Sequence, residues 1–440
     1  MAFSTSVLLR SICRKGIVGS TSNYHGEWSA RWGASWFNQR GVGTTTATTA
    51  SEAVLNQDSS PWLMLSPELK GGTMSNKFYS LADNKVQTPS PSDVISNRMV
   101  TCRGSSHGWL ALVSPQDGEF FLYNPISRRH IKLPSIVSLS RYPDDDPICT
   151  RDVRKIILSC SPDEDEENCR AVVINGWGNA LAFCCPGRSK EWTMMFDEKR
   201  GKMLYVDIVY SDKLKLFFVL TNSSGIETWD LEDPSSPKLV KVVDKVVKNI
   251  VRSLWGSAEY LVVAKEDLLL VTRYIADYVG PDGQCFHYFD ERRPDYVDGD
   301  SWDFDYVDGR HPDRFPARCH HMTIGFDIWK LDSKNEKFNY LYSSPTDLAI
   351  FVGKHSHSVA IQTTEFPELK PNSIYFTDGK YTGSLEGGPD DGGLFGRGGH
   401  DIGSYNYKDR TVSPCYYPCD APNLKTILPA PIWFFPSRTY

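Results

Sequence analysis

Gly108-Trp109-Leu110-Ala111-Leu112-Val113, Pro115-Gln116-Asp117-Gly118 and Glu119-Phe120-Phe121-Leu122-Tyr123 follow one another between His107 and Pro134. The first and third pieces are short runs of aromatic, β-branched and aliphatic residues, which suit a pleated surface, and the piece between them is turn chemistry. The stretch therefore reads as strand, turn and paired strand. Asn124-Pro125 breaks the pairing before Ile131 to Leu133 begins a further short run.

The same grammar recurs along the chain. Residues 171–174 with 180–184, 206–210 with 214–220, and 225–231 repeat it, and 260–263 with 268–271 read as another pair. Further runs cover 323–331, 348–352, 373–376 and 402–407. Helical periodicity is scarce. Roughly twenty short strands are too many for one sandwich and fit radial repetition of four-stranded blades, so residues 59–440 are expected to form an all-β propeller of about six blades.

At 440 residues the chain exceeds the roughly 250 to 300 that one core supports, which favours a fold that grows by adding units. Aromatic residues make up 12%, and the 33 Gly and 27 Pro punctuate the whole chain instead of one linker. A net charge of -6 excludes a dedicated nucleic-acid binder, which needs a basic surface. The 11 cysteines are odd in number and lack framework spacing, which indicates free thiols in a reducing compartment. No apolar run approaches the ~20 residues that span a membrane.

Residues 1–58 differ from the rest. Through Ala50 the basic residues are Arg10, Arg14, Lys15, Arg31 and Arg40, against the single acid Glu27. As a helix, residues 3–15 would gather Phe3, Val7, Leu8 and Ile12 on one side and Arg10 and Arg14 on another. With its serines this is the composition of an organellar transit peptide, ending in a Thr/Ala-rich linker at 44–51. The amphipathic geometry points to mitochondria, and the composition it shares with chloroplast transit peptides leaves plastid or dual targeting open.

Groupings that could carry chemistry are few. Cys319-His320-His321, His355-Ser356-His357 and Cys285-Phe286-His287 lack the paired spacing of a four-ligand zinc site, so no metal or cofactor is expected. The run 163–167, Asp-Glu-Asp-Glu-Glu, reads as a solvated loop, and Asp295-Tyr296-Val297-Asp298-Gly299 with its copy at 305–309 reads as an acidic insertion between blades, without calcium-loop spacing. The glycines between 387 and 399 precede a strand, not a helix, and no Lys-Ser pair ends them, so they form no phosphate loop. Lys238, Lys241, Lys245, Lys248 and Arg252 recur at helical spacing, but the valines among them suit a strand. A hydrolase would draw on channel carboxylates, for which Asp207, Asp230, Asp327 and Asp378 are the candidates. Asp230 and Asp378 sit in turn-like settings where a carboxylate caps local N–H groups.

With Pro61-Trp62-Leu63-Met64-Leu65, Gly108-Trp109-Leu110, Asn124-Pro125, Leu133-Pro134, Trp192, Tyr260-Leu261-Val262, Phe351-Val352-Gly353, residues 372–378, His400-Asp401-Ile402-Gly403 and residues 431–436 in order, the body resembles the plant F-box-associated, KIB-type β-propellers, domain of unknown function 295. The resemblance runs from Pro61 to Ser437 and implies recognition by the propeller, with no established active site. Many members carry an N-terminal F-box. Here the residues before Pro61 show no leucine-rich helical module, which resembles the family's organellar branch and argues against binding a ubiquitin-ligase adaptor. The expectation is a non-catalytic binding propeller in an organelle, its protein partner left open. The alternatives are a channel-carboxylate hydrolase and an RNA contact through residues 238–252.

Overall fold

The structure is a computed structural model. It describes residues 60–65, 68–70, 73–88, 100–114, 118–139, 153–175, 180–196, 203–243, 256–276, 278–279, 285–286, 322–332, 334–341, 347–378, 401–413, 415 and 430–436. Residues 1–58, Cys319-His320-His321, the repeats at 295–309 and the glycine-rich run 387–399 lie outside the described residues. The chain divides into two compact units. One comprises residues 1–49, 248–257 and 274–324, in which Tyr278–Val279 pairs antiparallel with Cys285–Phe286. The other, residues 50–247, 258–273 and 325–440, carries most of the blade residues.

Among the described residues blades 2, 3 and 4 are four-stranded sheets in chain order, as expected, while blades 5 and 6 join in one nine-stranded sheet. Blade 2 is Thr101–Ser106, Trp109–Val113, Phe120–Tyr123 and His130–Lys132, an antiparallel meander. Blade 3 is Lys155–Leu158, Ala171–Asn175, Ala180–Cys184 and Thr193–Met195, and blade 4 is Tyr205–Ser211, Leu216–Thr221, Ile226–Asp230 and Lys238–Val243. Lys238 and Lys241 thus lie on a strand, the outermost of blade 4, and not on a helix. Blade 5 is Gly256–Ala264, Asp267–Ala276, Met322–Asp332 and Lys337–Tyr340.

Blade 1 closes the ring. Its innermost strand, Ile432–Phe434, comes from the C-terminal end and pairs antiparallel with Trp62–Met64, which continues into Phe78–Ser80 and Lys85–Gln87. Trp62, Phe78 and Phe434 cluster across this seam with ring centroids 5.4 to 5.9 Å apart. Blade 6 departs from the meander. Leu348–Val352 pairs parallel with Ser373–Phe376, followed by Gly403–Asn406 and Thr411–Ser413, while Val359–Gln362 lies antiparallel on the other side of Leu348–Val352.

The second strands read as continuous apolar runs because both faces are buried. Trp109, Ala111 and Val113 pack with Ile156, Ala171 and Val173 between blades 2 and 3. The alternate residues Leu110 and Leu112 pack with Trp62, Phe78 and Phe434 between blades 1 and 2. The same two-sided burial joins blades 3 and 4, blades 5 and 6, and blades 6 and 1.

Candidate functional site

The first strands of blades 2, 3 and 4 each have one edge without a partner in their own sheets. Blade 2's first strand holds Arg103 in a bulge between Cys102 and Gly104. Gly104 allows it to approach blade 3, since a Cβ there would stand 2.4 Å from the Ile156 carbonyl oxygen. The strand ends in a two-residue turn with His107 at φ 50 and Gly108 at φ 78, the conformation that Xaa-Gly hairpins favour. Blade 3's first strand begins with Lys155, and blade 4's carries Asp207 next to a second irregularity.

Residues 354–362 draw these edges together. Gly353 is needed at the bend leading into them, because a Cβ would lie 2.5 Å from Thr377 Oγ1. The Ser105 N–H donates to the His355 carbonyl at 2.9 Å, and the His357 N–H donates to the Ser105 carbonyl at 2.8 Å, a parallel bridge to blade 2. His355 Nδ1 lies 2.9 Å from the Arg154 carbonyl oxygen just before blade 3. The Trp433 N–H of blade 1 donates to Ser356 Oγ at 3.0 Å, and Val359 pairs in parallel with Val263 of blade 5. One short segment that touches blades 1, 2, 3, 5 and 6 lies where their innermost strands converge.

The groups gathered here are mostly basic. His107 and His357 face each other with ring centroids 5.5 Å apart. The charges of Lys354, Arg103 and Lys155 bear on His355, and those of His107 and Lys155 bear on His357. Burial, reinforced by these cations, holds both imidazoles well below the usual histidine range. Burial lowers His107 to about 4, although Asp212 and the Leu158 backbone oppose it. All three histidines nevertheless keep partial surface while Ser356 and Ser358 are buried. His107 Nε2 and Arg103 Nε are buried without a hydrogen-bond partner.

Asp207 is the acid of this region. Its Oδ1 pairs with Lys155 Nζ, and its Oδ2 accepts the Leu261 N–H at 2.8 Å. Burial raises its pKa, with the Lys155 charge opposing. The other sequence candidates do not join it in one acid–base pair. Asp230 accepts the Glu232 N–H at 2.9 Å, the capping turn expected of it. Asp327 accepts from the Tyr340 hydroxyl at 2.9 Å and lies 3.6 Å from Arg410. Asp378 bears on the fully buried Arg273, whose guanidinium donates to Asp401 Oδ2 at 2.7 Å and the Thr377 carbonyl at 2.6 Å and lies over the Phe376 ring. Asp207 and Asp378 meet only in that both charges are felt at the buried Tyr260 phenol, whose pKa burial raises.

The acidic run 163–167 is partly engaged, since Arg129 bridges Asp163 and Glu166 at 2.9 and 2.6 Å. Arg170 beside it is spent on carbonyls of Glu167, Leu231 and Glu232. Among the described residues no group of three His, Cys, Asp or Glu is placed to hold a metal. No described helix is long and apolar enough to cross a membrane. Sequence reasoning singled out His355, His357 and Asp207 but missed Arg103, His107 and Lys155. His107-Gly108 carried a turn signal that locates His107 at a strand end, whereas nothing local marks Arg103 or Lys155.

Four-stranded sheets in chain order, closed by a C-terminal strand, define a β-propeller. The KIB1-4 β-propeller family matches residues 78–406, well over half of the chain, and the chain belongs to it. No curated protein matches. Solved structures with likeness include TolB from Acinetobacter baumannii, 10% identical, covering 80% of this chain and 63% of its own, with a TM-score of 0.37. A protein from Lactobacillus plantarum is 8% identical over 64% of this chain and 81% of its own, TM-score 0.32. Apo AztD from Citrobacter koseri is 10% identical over 48% and 68%, TM-score 0.30. These likenesses are too distant to carry a functional argument.

Proposed function

We propose that the chain is a non-catalytic binding propeller that works on a protein partner inside an organelle, reached through its basic N-terminal segment. The observation that supports this over a hydrolase is the separate engagement of the carboxylates. Asp207 is tied to Lys155, Asp230 to a turn and Asp327 to Tyr340, and Asp378 faces Arg273. A hydrolase needs one carboxyl protonated and a second ionised across the same substrate. An RNA contact through residues 238–252 has less support, because Lys241 is already paired with Glu336 at 2.8 Å.

The experiment is in-organelle cross-linking of the tagged full chain, followed by reconstitution of the recovered partner with purified protein. Saturable binding at fixed stoichiometry supports the reading. Turnover of model esters or glycosides by the purified chain, lost in D207N or D378N variants that still melt cooperatively, would replace it with the hydrolase.

A further inference from the structure

Cys160 and Cys169, both unbridged, stand opposite each other just beyond the first two strands of blade 3. Lys155–Leu158 pairs antiparallel with Ala171–Asn175, Leu158 opposite Ala171, and the pairing runs on as the Ser159 N–H donates to the Arg170 carbonyl at 2.9 Å. The next opposed pair in that register is Cys160 and Cys169. Because Ser159 and Arg170 are hydrogen-bonded, this pair takes the non-hydrogen-bonded position, where Cα atoms approach to roughly 4.5 Å, inside the roughly 4.4 to 6.8 Å that a disulfide spans. Cys169 Sγ donates to the Cys160 carbonyl at 3.3 Å, and the two thiols are within hydrogen-bonding reach of each other. Their contact lowers the pKa of Cys160, opposed by burial and by the charges of Asp165 and Glu164, and the same contact, with burial, raises Cys169. Cys160 is half-buried and Cys169 is buried, so a reachable sulfur with thiolate character has a shielded one behind it. Residues 161–168 run between the two and are tied to blade 2, where Trp109 Nε1 donates to Ser161 Oγ at 3.2 Å and Asn124 Nδ2 to Asp163 Oδ2 at 2.9 Å.

We propose that Cys160 and Cys169 form a reversible thiol–disulfide site, oxidised by hydrogen peroxide, that fixes the base of the acidic loop 161–168. The Cys160 thiolate attacks one peroxide oxygen, the O–O bond breaks, and the leaving oxygen takes up the proton that Cys160 gave away and departs as water. Cys169 then attacks the sulfur of the resulting sulfenic acid. The S–S bond forms, the S–O bond breaks, and the hydroxyl leaves with the Cys169 proton as a second water. Two thiols are oxidised by two electrons and one peroxide is reduced to two waters. The acids at 163–167 repel anionic oxidants such as glutathione disulfide, whereas hydrogen peroxide carries no charge. A dithiol reductant restores both thiols by exchange, so the reduced pair is the resting state of a reducing compartment. The site is independent of the protein-binding reading, and the failure of either leaves the other standing.

The test oxidises the purified, reduced full chain with graded hydrogen peroxide and blocks the remaining thiols with iodoacetamide. Trypsin releases residues 156–170 as one peptide, and a glutamate-specific protease then cuts the loop, so that its two ends stay joined only through a Cys160–Cys169 disulfide. That link is expected at about tenfold lower peroxide than oxidation of the half-buried Cys415, and a dithiol should reverse it. In C169S the sulfenic acid on Cys160 should persist and be trapped by dimedone, while C160S should leave Cys169 unoxidised. Amide hydrogen exchange across residues 161–169 should slow by about threefold or more on oxidation of the wild-type chain, a readout that needs no variant. Cys160 joined to another cysteine, oxidation no easier than at Cys415, a C169S chain without a dimedone adduct, or unchanged exchange would overturn the assignment.

Discussion

Replacing Lys155 by Met tests whether the inner edge of blades 3 and 4 is held by charge. The Lys155 and Asp207 side chains are each 3% exposed, and without Lys155 the carboxylate keeps the backbone N–H groups of Leu261 and Ile208 but no cation. Removing one member of a buried pair costs about 3 to 5 kcal/mol, because the other charge stays desolvated. At roughly 2.1 cal/mol/K per residue, a cooperative unit of this length loses roughly 0.8 kcal/mol per degree, so the midpoint should fall by about 5 °C. The loss should depend on pH. Burial already raises Asp207, and in Lys155→Met nothing cationic opposes it, so the native-state pKa climbs further above the unfolded value. A raised carboxyl binds its proton more tightly in the native state. The variant's deficit is therefore full above that pKa and shrinks as pH falls through it, smaller at pH 5 than at pH 8. Lys155→Met with Asp207→Asn removes both charges, leaves an acceptor for Leu261, and should recover most of the loss. Calorimetric melts of the four proteins at both pH values decide it. A single-variant loss under about 1 kcal/mol, an equal loss at the two pH values, or a double variant as unstable as the sum would refute the reasoning.

Acid should destabilise the fold between about pH 6.5 and 4. His107, His355 and His357 are held below the unfolded value, so the unfolded state takes up protons first and stability falls as pH drops, by about 3 kcal/mol for His107 alone. H107N, which tolerates the positive φ, should lower proton uptake on unfolding at pH 5 by about one. Trp433→Ala empties a fully buried site against Phe351 and Tyr375 and should cost about 3 to 5 kcal/mol in denaturant melts. A loss under about 1 kcal/mol would mean blade closure does not depend on it. Elemental analysis of the purified chain should find well under one zinc per molecule, and stoichiometric zinc would contradict this. A fusion of residues 1–60 to a fluorescent protein should enter mitochondria of plant cells, and changing Arg10, Arg14 and Lys15 to Glu should keep it in the cytosol; a wild-type fusion in plastids or cytosol would contradict the assignment.

The second and third strands of the blades were legible because both their faces are buried, which writes the strand as an unbroken apolar run. Trp109–Val113 and Ala171–Asn175 are examples. The first strands of blades 2 and 3 were not. Thr101–Ser106 is Thr-Cys-Arg-Gly-Ser-Ser, without alternation, because its inner edge must leave room for neighbouring strands. Gly104 meets the Ile156 carbonyl directly, and no hydrophobicity pattern announces such a contact. Lys155–Leu158 is short and starts on a lysine whose partner lies 52 residues away. Blade 6 was read as strands in order, but the parallel pairing of Leu348–Val352 with Ser373–Phe376 follows from where the chain between them goes.

That excursion also explains why the candidate site exists. The inner edge of a blade presents backbone N–H and C=O groups that must be satisfied by water or by chain. At Ser105 they are satisfied by His357 and His355, and blade 1's Trp433 N–H is satisfied by Ser356. Residues 354–362 therefore hold their place through main-chain bonds and one hydroxyl. The side chains they carry inward are relieved of structural duty. His355 keeps one ring nitrogen on the Arg154 carbonyl, while among the described residues the His357 ring meets the His107 imidazole, with the Lys155 charge bearing on it. A segment placed only to fill space would be expected to carry apolar residues, which cost nothing to desolvate. Burying imidazoles here instead makes their protonation costly, so this inner edge loses stability as the pH falls.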